Sequence, residues 1–278
     1  MGFVINNNLA ANNTYRNLNA TQTDLSKSLE KLSTGLRINR AGDDAAGLAI
    51  SEGLKSQVTG SAQAARNAQD GISLIQTTEG ALTEVHSILQ RMRDLAVQGS
   101  NDTNNGDARD AIGKEGIALG KELNRLTEAT NFNGIDLLKT GTINIQVGTG
   151  GTGNDTIAID LADVATTLGT LQGAAANAGF DVSGNTAAQT TIGTIDAAIV
   201  AISSQRADLG ATQNRLEHTV KSLNIAGENL QAAQSRIADV DMASEMVKFT
   251  KANILSQAGT AMLAQANQSS QGVLSLLR

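Results

Sequence analysis

The 278-residue chain contains no cysteine, no proline and no tryptophan, and only 2% of its residues are aromatic, one Tyr and four Phe. Without cysteine there is neither a disulfide framework nor a thiolate site. Proline removes a backbone donor and clashes with the preceding helical turn, so its complete absence suits long uninterrupted helices. Aromatic side chains normally supply much of a globular core's buried area. A core here has to come from Leu, Ile, Val, Ala and Met, which suits helices packed side by side. A basic surplus is missing too: the net charge of −6 argues against nucleic acid as a partner. The longest apolar run, Ala197 to Ile202, is far too short for a membrane span. The segment from Met1 to Asn6 lacks the basic and apolar regions of a cleavable secretory signal.

What the chain does have is a seven-residue rhythm. Ile195, Ile202, Leu209, Leu216, Leu223, Leu230 and Ile237 recur every seventh position. Ile199 and Val220 fill intervening seam positions, and Arg206, Gln213, Gly227 and Gln234 fill others. Such a sustained seam predicts a coiled-coil-like helix over 193–238, a rod of roughly 70 Å at 1.5 Å per residue. Near the other end, Tyr15, Leu18, Gln22, Leu25, Leu29, Leu32 and Leu36 alternate steps of three and four. That stripe stops at a connector, Asn39 to Asp44. A second helix is expected over about 45–98 and a third over about 107–129, with Ile112, Leu119, Leu123 and Leu126 on one face.

The period then changes to two. Ile143, Ile145 and Val147 alternate with polar residues, as do Ile157, Ile159 and Leu161, around the glycine-rich run Gly148 to Gly153. This predicts a β-hairpin. Residues 165–191 are small, polar and glycine-rich, and read as a surface excursion with little core of its own. The two chain ends share one property: 1–15 and 252–277 carry no charge. Gln257, Gln265, Asn267 and Gln268 interrupt the second stretch, so it suits burial against other protein rather than lipid. Short uncharged amphipathic segments are marginal alone in water, which points to folding coupled to assembly.

Chemistry-bearing motifs are weak. Gly42-Asp43-Asp44 reads as a turn and helix N-cap rather than a metal ligand pair. Gly148 to Gly153 lacks the Gly-Lys-Ser/Thr of a phosphate loop. The two histidines, His86 and His218, do not form the His-Glu-x-x-His of a zinc protease. No nucleophile–base pair, metal cluster or cofactor motif is present, so the reading is a non-enzyme without cofactors.

The segment Leu29 to Ser51, LEKLSTGLRINRAGDDAAGLAIS, resembles the N-terminal signature of bacterial flagellins, as does Ala68 to Leu82. In the C-terminal half, Ser204 to Ala211, Ser235 to Ala243 and Ile254 to Asn267 do the same. The resemblance covers roughly 1–165 and 190–278. It implies a mainly α fold: a long antiparallel helical bundle or coiled coil formed by the N- and C-terminal halves, with one small β-hairpin region. It also implies three parts. Residues 1–44 plus 238–278 would form a terminal coiled-coil core, 45–165 plus 190–237 a helical rod with a hairpin at about 142–161, and 166–189 a short variable surface loop. This is a short form with almost no outer variable domain.

The function implied is a structural subunit exported and polymerised into the flagellar filament for swimming motility. The alternative of the same architecture is a hook–filament junction protein, which matches the inner signatures more loosely. The expected terminal assembly seam is Leu18, Leu25, Leu29, Leu32 and Leu36 with Leu255 and Met262, and the rod seam is the heptad series from Ile195 to Ile237. Implied partners are other copies of the chain, the flagellar type III export apparatus, a flagellin export chaperone, and the filament cap and hook–filament junction proteins. Localisation would be extracellular, by export without a cleavable signal. Arg91-Met92-Arg93-Asp94-Leu95 resembles the segment that a host Toll-like receptor reads on many flagellins, which nominates Arg91, Leu95 and Glu115. Asp94 stands where Glu is usual.

Overall fold

The structure, a computed structural model, describes residues 8–161, 163–169, 171 and 179–276, with side-chain environments up to residue 268. Long helices dominate: α1 (Leu9–Thr34), α2 (Ala45–Gly99), α3 (Gly106–Ala129), the single-turn α4 (Val164–Leu168), α5 (Asn185–Ala238) and α6 (Met242–Leu276). Between α3 and α4 lie β1 (Asn131–Phe132), β2 (Ile135–Asp136), β3 (Gly141–Gln146) and β4 (Thr156–Leu161). The chain divides into two compact units, Thr59–Gly227 and the paired ends Met1–Val58 with Glu228–Arg278.

The unit Thr59–Gly227 holds nearly all of the large buried apolar side chains. Within it α2 and α5 run antiparallel: Arg206 Nε donates to Glu79 at 2.8 Å and Arg93 Nε to Asp196 at 2.6 Å. Residues advancing along α2 thus meet residues receding along α5. Leu74, Ile75, Leu82, Val85, Leu89 and Met92 of α2 and Ile195, Ile202, Leu209 and Leu216 of α5 belong to one buried cluster. The lower heptad positions Leu223, Leu230 and Ile237 are only half-buried. α3 joins the same core through Ile112 and Leu123.

The expected hairpin is β3–β4, antiparallel with Ile143 opposite Ile159 and Ile145 opposite Ile157. It lies on the bundle because Gly71 has no Cβ: one built there would stand 3.2 Å from Ile145 and 3.4 Å from Leu216. Its loop is organised by Asp155, whose carboxylate accepts from the Thr152 hydroxyl at 2.7 Å and the Thr152 N–H at 3.0 Å.

Three features depart from the sequence reading. Helix α5 begins at Asn185, a full turn and more before 193, because Ala188 and Thr191 continue the buried stripe with residues too small to register as apolar seam positions. The supposed surface excursion contributes to the core: Leu168, Leu171, Phe180, Val182 and Ala188 are all buried. Glycines make room for it. A Cβ on Gly116 would collide with the Phe180 ring, and one on Gly99 would stand 2.7 Å from Val182 Cβ. There is a second hairpin, β1–β2, two residues per strand, turned by Asn133-Gly134, a strong short hairpin signal.

In the unit formed by the paired ends, α1 and α6 pack antiparallel. Asn8 Nδ2 donates to the Ala266 carbonyl at 2.9 Å near one end, and the Ser28 hydroxyl donates to Glu245 at 2.7 Å near the other. Gly35 ends α1 in a left-handed C-cap with φ 74°, a conformation that costs glycine nothing. Leu36, expected to continue the helical stripe, therefore lies beyond the helix and bridges to Asp239 as extended backbone. Among the described residues here, the buried side chains are Ser28, Ile38, Ser51, Ala238, Glu245 and Ala252. This unit has almost no apolar core of its own.

Candidate assembly surfaces

The missing core follows from which residues face inward. On α1 the sheltered positions are Ala11, Thr14, Leu18, Thr21, Leu25, Ser28 and Leu32; on α6 they are Glu245, Phe249, Ala252, Ser256, Gly259, Leu263 and Ala266. Both series follow the three–four alternation of a two-helix seam. Many members are small, so the helices approach closely; a Cβ on Gly259 would sit 3.3 Å from Leu18 Cδ1. Of the expected terminal seam, Leu18, Leu25 and Leu32 lie on the sheltered faces between the two helices. Leu29, Leu36, Leu255 and Met262 do not.

Those four lie on the outside, for a geometric reason. The stripe has two positions per seven residues, and the line of α1 that faces α6 runs through one of them and through the small Thr14, Thr21 and Ser28, so the other position of each heptad turns outward. Leu18, Leu25 and Leu32 take the inner half. Tyr15 and Leu29, fourteen residues apart, take the outer half and stay open, Leu29 at 53% exposure, and Leu36, beyond the helix, is exposed as well. On α6, Met242, Met246, Val247, Ile254, Leu255 and Met262 are likewise exposed, Val247 at 69% and Met262 at 64%. Met246, Val247, Thr250, Lys251, Ile254 and Leu255 line an open, mainly apolar groove. Such contiguous apolar surface marks an interaction face. Residues 1–7 and 277, part of the uncharged ends, fall outside the described residues, as do the side chains beyond 268.

Glu245 is the one acidic side chain buried between α1 and α6, at 5% exposure. Burial pushes its carboxyl up, but the Ser28 hydroxyl, the Lys248 ammonium at 3.0 Å and the nearby charge of Lys31 outweigh this and hold it below the ordinary carboxylate range. The sequence offered no signal for this position, since an acid three residues before a lysine reads as a solvated pair.

The Gly42-Asp43-Asp44 turn acts as a cap. Asp44 accepts from Gly47 N–H at 2.9 Å, and Asp43 accepts from the backbone N–H groups of Arg40 and Asn39, which lower its carboxyl pKa. Arg40 pairs with Glu30 at 3.0 Å, and Arg37 donates to the Ile237 carbonyl at 2.6 Å. Of the nominated receptor contacts, Arg91 and Glu115 join α2 to α3 by an exposed ion pair at 2.6 Å. Leu95, at 2% exposure, is part of the buried core cluster rather than of that exposed pair. Among the described residues no cluster of three or more potential ligands could hold a metal, and no helix is long and apolar enough to cross a membrane.

The family model of the bacterial flagellin N-terminal helical region matches residues 5–142, and that of the C-terminal helical region matches 192–277. A flagellin of Halalkalibacterium halodurans is 54% identical over 99% of this chain and 100% of its own length. The chain belongs to the flagellin family. A flagellin of Bacillus subtilis is 48% identical over 99% of both chains. The crystal structure of Bacillus cereus flagellin, 34% identical, superposes with a TM-score of 0.50 over 57% of this chain and 88% of the other. Flagellins are structural proteins rather than enzymes. This one is a filament subunit that polymerises with copies of itself into the extracellular flagellar filament of motile bacteria. Nothing in these likenesses favours the hook–filament junction alternative.

Proposed function

We propose that the outward face of the α1–α6 pair is where copies join, and that in the filament it forms the wall of the inner tube. The observation that carries this is the open apolar stripe of Tyr15, Leu29 and Leu36 with Met246, Val247, Ile254, Leu255 and Met262, set on a unit with almost no apolar core. Ordering a residue costs about 1–2 kcal/mol of backbone entropy. A two-helix unit sealed by Ala, Ser, Thr and Gly recovers little of that alone; neighbouring copies supply the rest by covering the stripe. Leu18, Leu25 and Leu32 act inside each subunit, and Leu29, Leu36, Leu255 and Met262 between subunits. In this reading 1–44 plus 238–278 is the assembling core and 45–165 plus 190–237 the rod around it, with Ile195 to Ile237 as its internal seam. Residues 166–189 stand where longer relatives would carry outer domains.

The same reading assigns the remaining partners. The chain leaves the cell without a cleavable signal through the flagellar type III export apparatus, its apolar ends held by an export chaperone. It is then placed by the filament cap onto the hook–filament junction proteins. Arg91 and Glu115 are the exposed residues a host Toll-like receptor would read. Electron microscopy of purified protein after seeded polymerisation tests the assignment: Ile254→Asp should abolish fibres and leave the Thr59–Gly227 unit folded. Normal fibres from that variant would refute it.

A further inference from the structure

The chain has two Asn-Gly sequences, Asn105-Gly106 and Asn133-Gly134, and the fold treats them oppositely. Asn105 is the N-cap of α3: its side-chain oxygen accepts the Ala108 N–H at 2.9 Å, which fixes the amide. Asn133 and Gly134 form the two-residue turn between β1 and β2, with φ of 51° and 81°, the left-handed pattern of a type I′ turn. The Asn133 side chain is exposed and makes no hydrogen bond among the described residues. The position a Cβ would take on Gly134 is empty to 4 Å, and Gly134 itself is exposed.

We propose that Asn133 is a site of spontaneous deamidation in the folded subunit. The backbone nitrogen of Gly134, on losing its proton, attacks Asn133 Cγ. A C–N bond forms, the bond to the side-chain nitrogen breaks, and ammonia leaves, closing a five-membered succinimide. Water then opens the ring at either carbonyl, giving aspartate or isoaspartate. The balance is one water consumed and one ammonia released, with no oxidant or reductant. Attack requires the Asn133 backbone to rotate out of the turn. The rotation is local: Asn133 and Gly134 are exposed at the tip, and it disturbs the Phe132–Ile135 pair beside the turn while Phe132, Leu137 and Leu138 stay packed on the core.

Either product adds a negative charge to a unit that already carries 18 acidic against 11 basic side chains. Isoaspartate also lengthens the backbone at the turn by one carbon, which is incompatible with the Phe132–Ile135 pairing. Loss of ammonia is irreversible, so conversion accumulates and position 133 records the age of the chain.

The test is peptide mapping of native protein during incubation at mildly alkaline pH. Tryptic peptides spanning 126–139 and 94–109 report the two sites side by side, and fragmentation separates Asn131 from Asn133. The same time course in denaturant gives the unstructured rates. Native Asn133 is expected to convert at least tenfold faster than native Asn105 and Asn131, while in denaturant Asn105 and Asn133 convert alike. A native ratio below tenfold, or no conversion at Asn133 over a period in which the denatured chain converts, overturns the proposal. Gly134→Ala should slow conversion at Asn133 at least tenfold in denaturant as well as in the native chain; an unchanged rate would exclude attack by that nitrogen.

Discussion

Replacing Ile254 with Ala separates assembly from folding. The side chain is 60% exposed on α6. The substitution removes three carbons, worth roughly 0.8 kcal/mol each when fully buried. Scaled by the fraction still exposed, about 1.4 kcal/mol of burial per subunit is available only to a neighbouring copy. That corresponds to about a tenfold rise in the critical concentration for polymerisation. The isolated chain should not suffer, because Ile254 points away from α1 and alanine is the better helix former. The assay is sedimentation of polymer against total protein, with far-UV circular dichroism melts of the monomer alongside. A critical concentration unchanged within about twofold, or a lowered monomer melting temperature, would refute the reasoning, since either result puts Ile254 inside the subunit rather than between subunits.

Other perturbations have equally definite outcomes. Leu25→Asp places a charge between α1 and α6 and should disrupt that pair in the monomer as well as block fibres, measurable as new protease cleavage near both chain ends with Thr59–Gly227 intact. Leu95→Ala should cost about 2–5 kcal/mol in chemical denaturation, as for a buried leucine, whereas Arg91→Ala should leave stability within about 0.5 kcal/mol. Gly116→Ala should destabilise by about 1–3 kcal/mol by driving Phe180 out of its slot, and Gly116→Ala combined with Phe180→Ala should recover part of that loss. Glu245 titrates below the ordinary carboxylate range in the folded state, so its contribution is fully present above the unfolded carboxyl pKa and is lost as pH falls through the folded one. Acidification should therefore loosen the α1–α6 pair, and Glu245→Gln should flatten that acid limb in a melting-temperature profile.

The sequence made the rod legible and the assembling ends only partly so. From Ile195 to Leu216 large β-branched and γ-branched residues mark the buried face of α5. The same rule misleads on α6. There small residues such as Ala252, Ser256, Gly259 and Ala266 share the inward face with Phe249 and Leu263, while the large residues Leu255 and Met262 point outward. A hydrophobic stripe signals burial but does not say against what, and in a polymer the largest apolar residues can be kept for the neighbour. Ala188 and Phe180 escaped for related reasons. One is too small to register, and the other sits in a glycine-rich segment whose glycines are empty space for it. Leu36 was misplaced because a seven-residue count ran through Gly35, a helix terminator visible in the sequence.

The central claim is that the stripe left open on α1 and α6 is covered by other copies. The natural absence of cysteine makes Leu29→Cys and Ile254→Cys unique labels, and the most direct measurement is their rate of maleimide modification in monomer and in polymer. Both should react readily in the monomer and at least tenfold more slowly in the polymer. Equal rates in the two states would contradict the account.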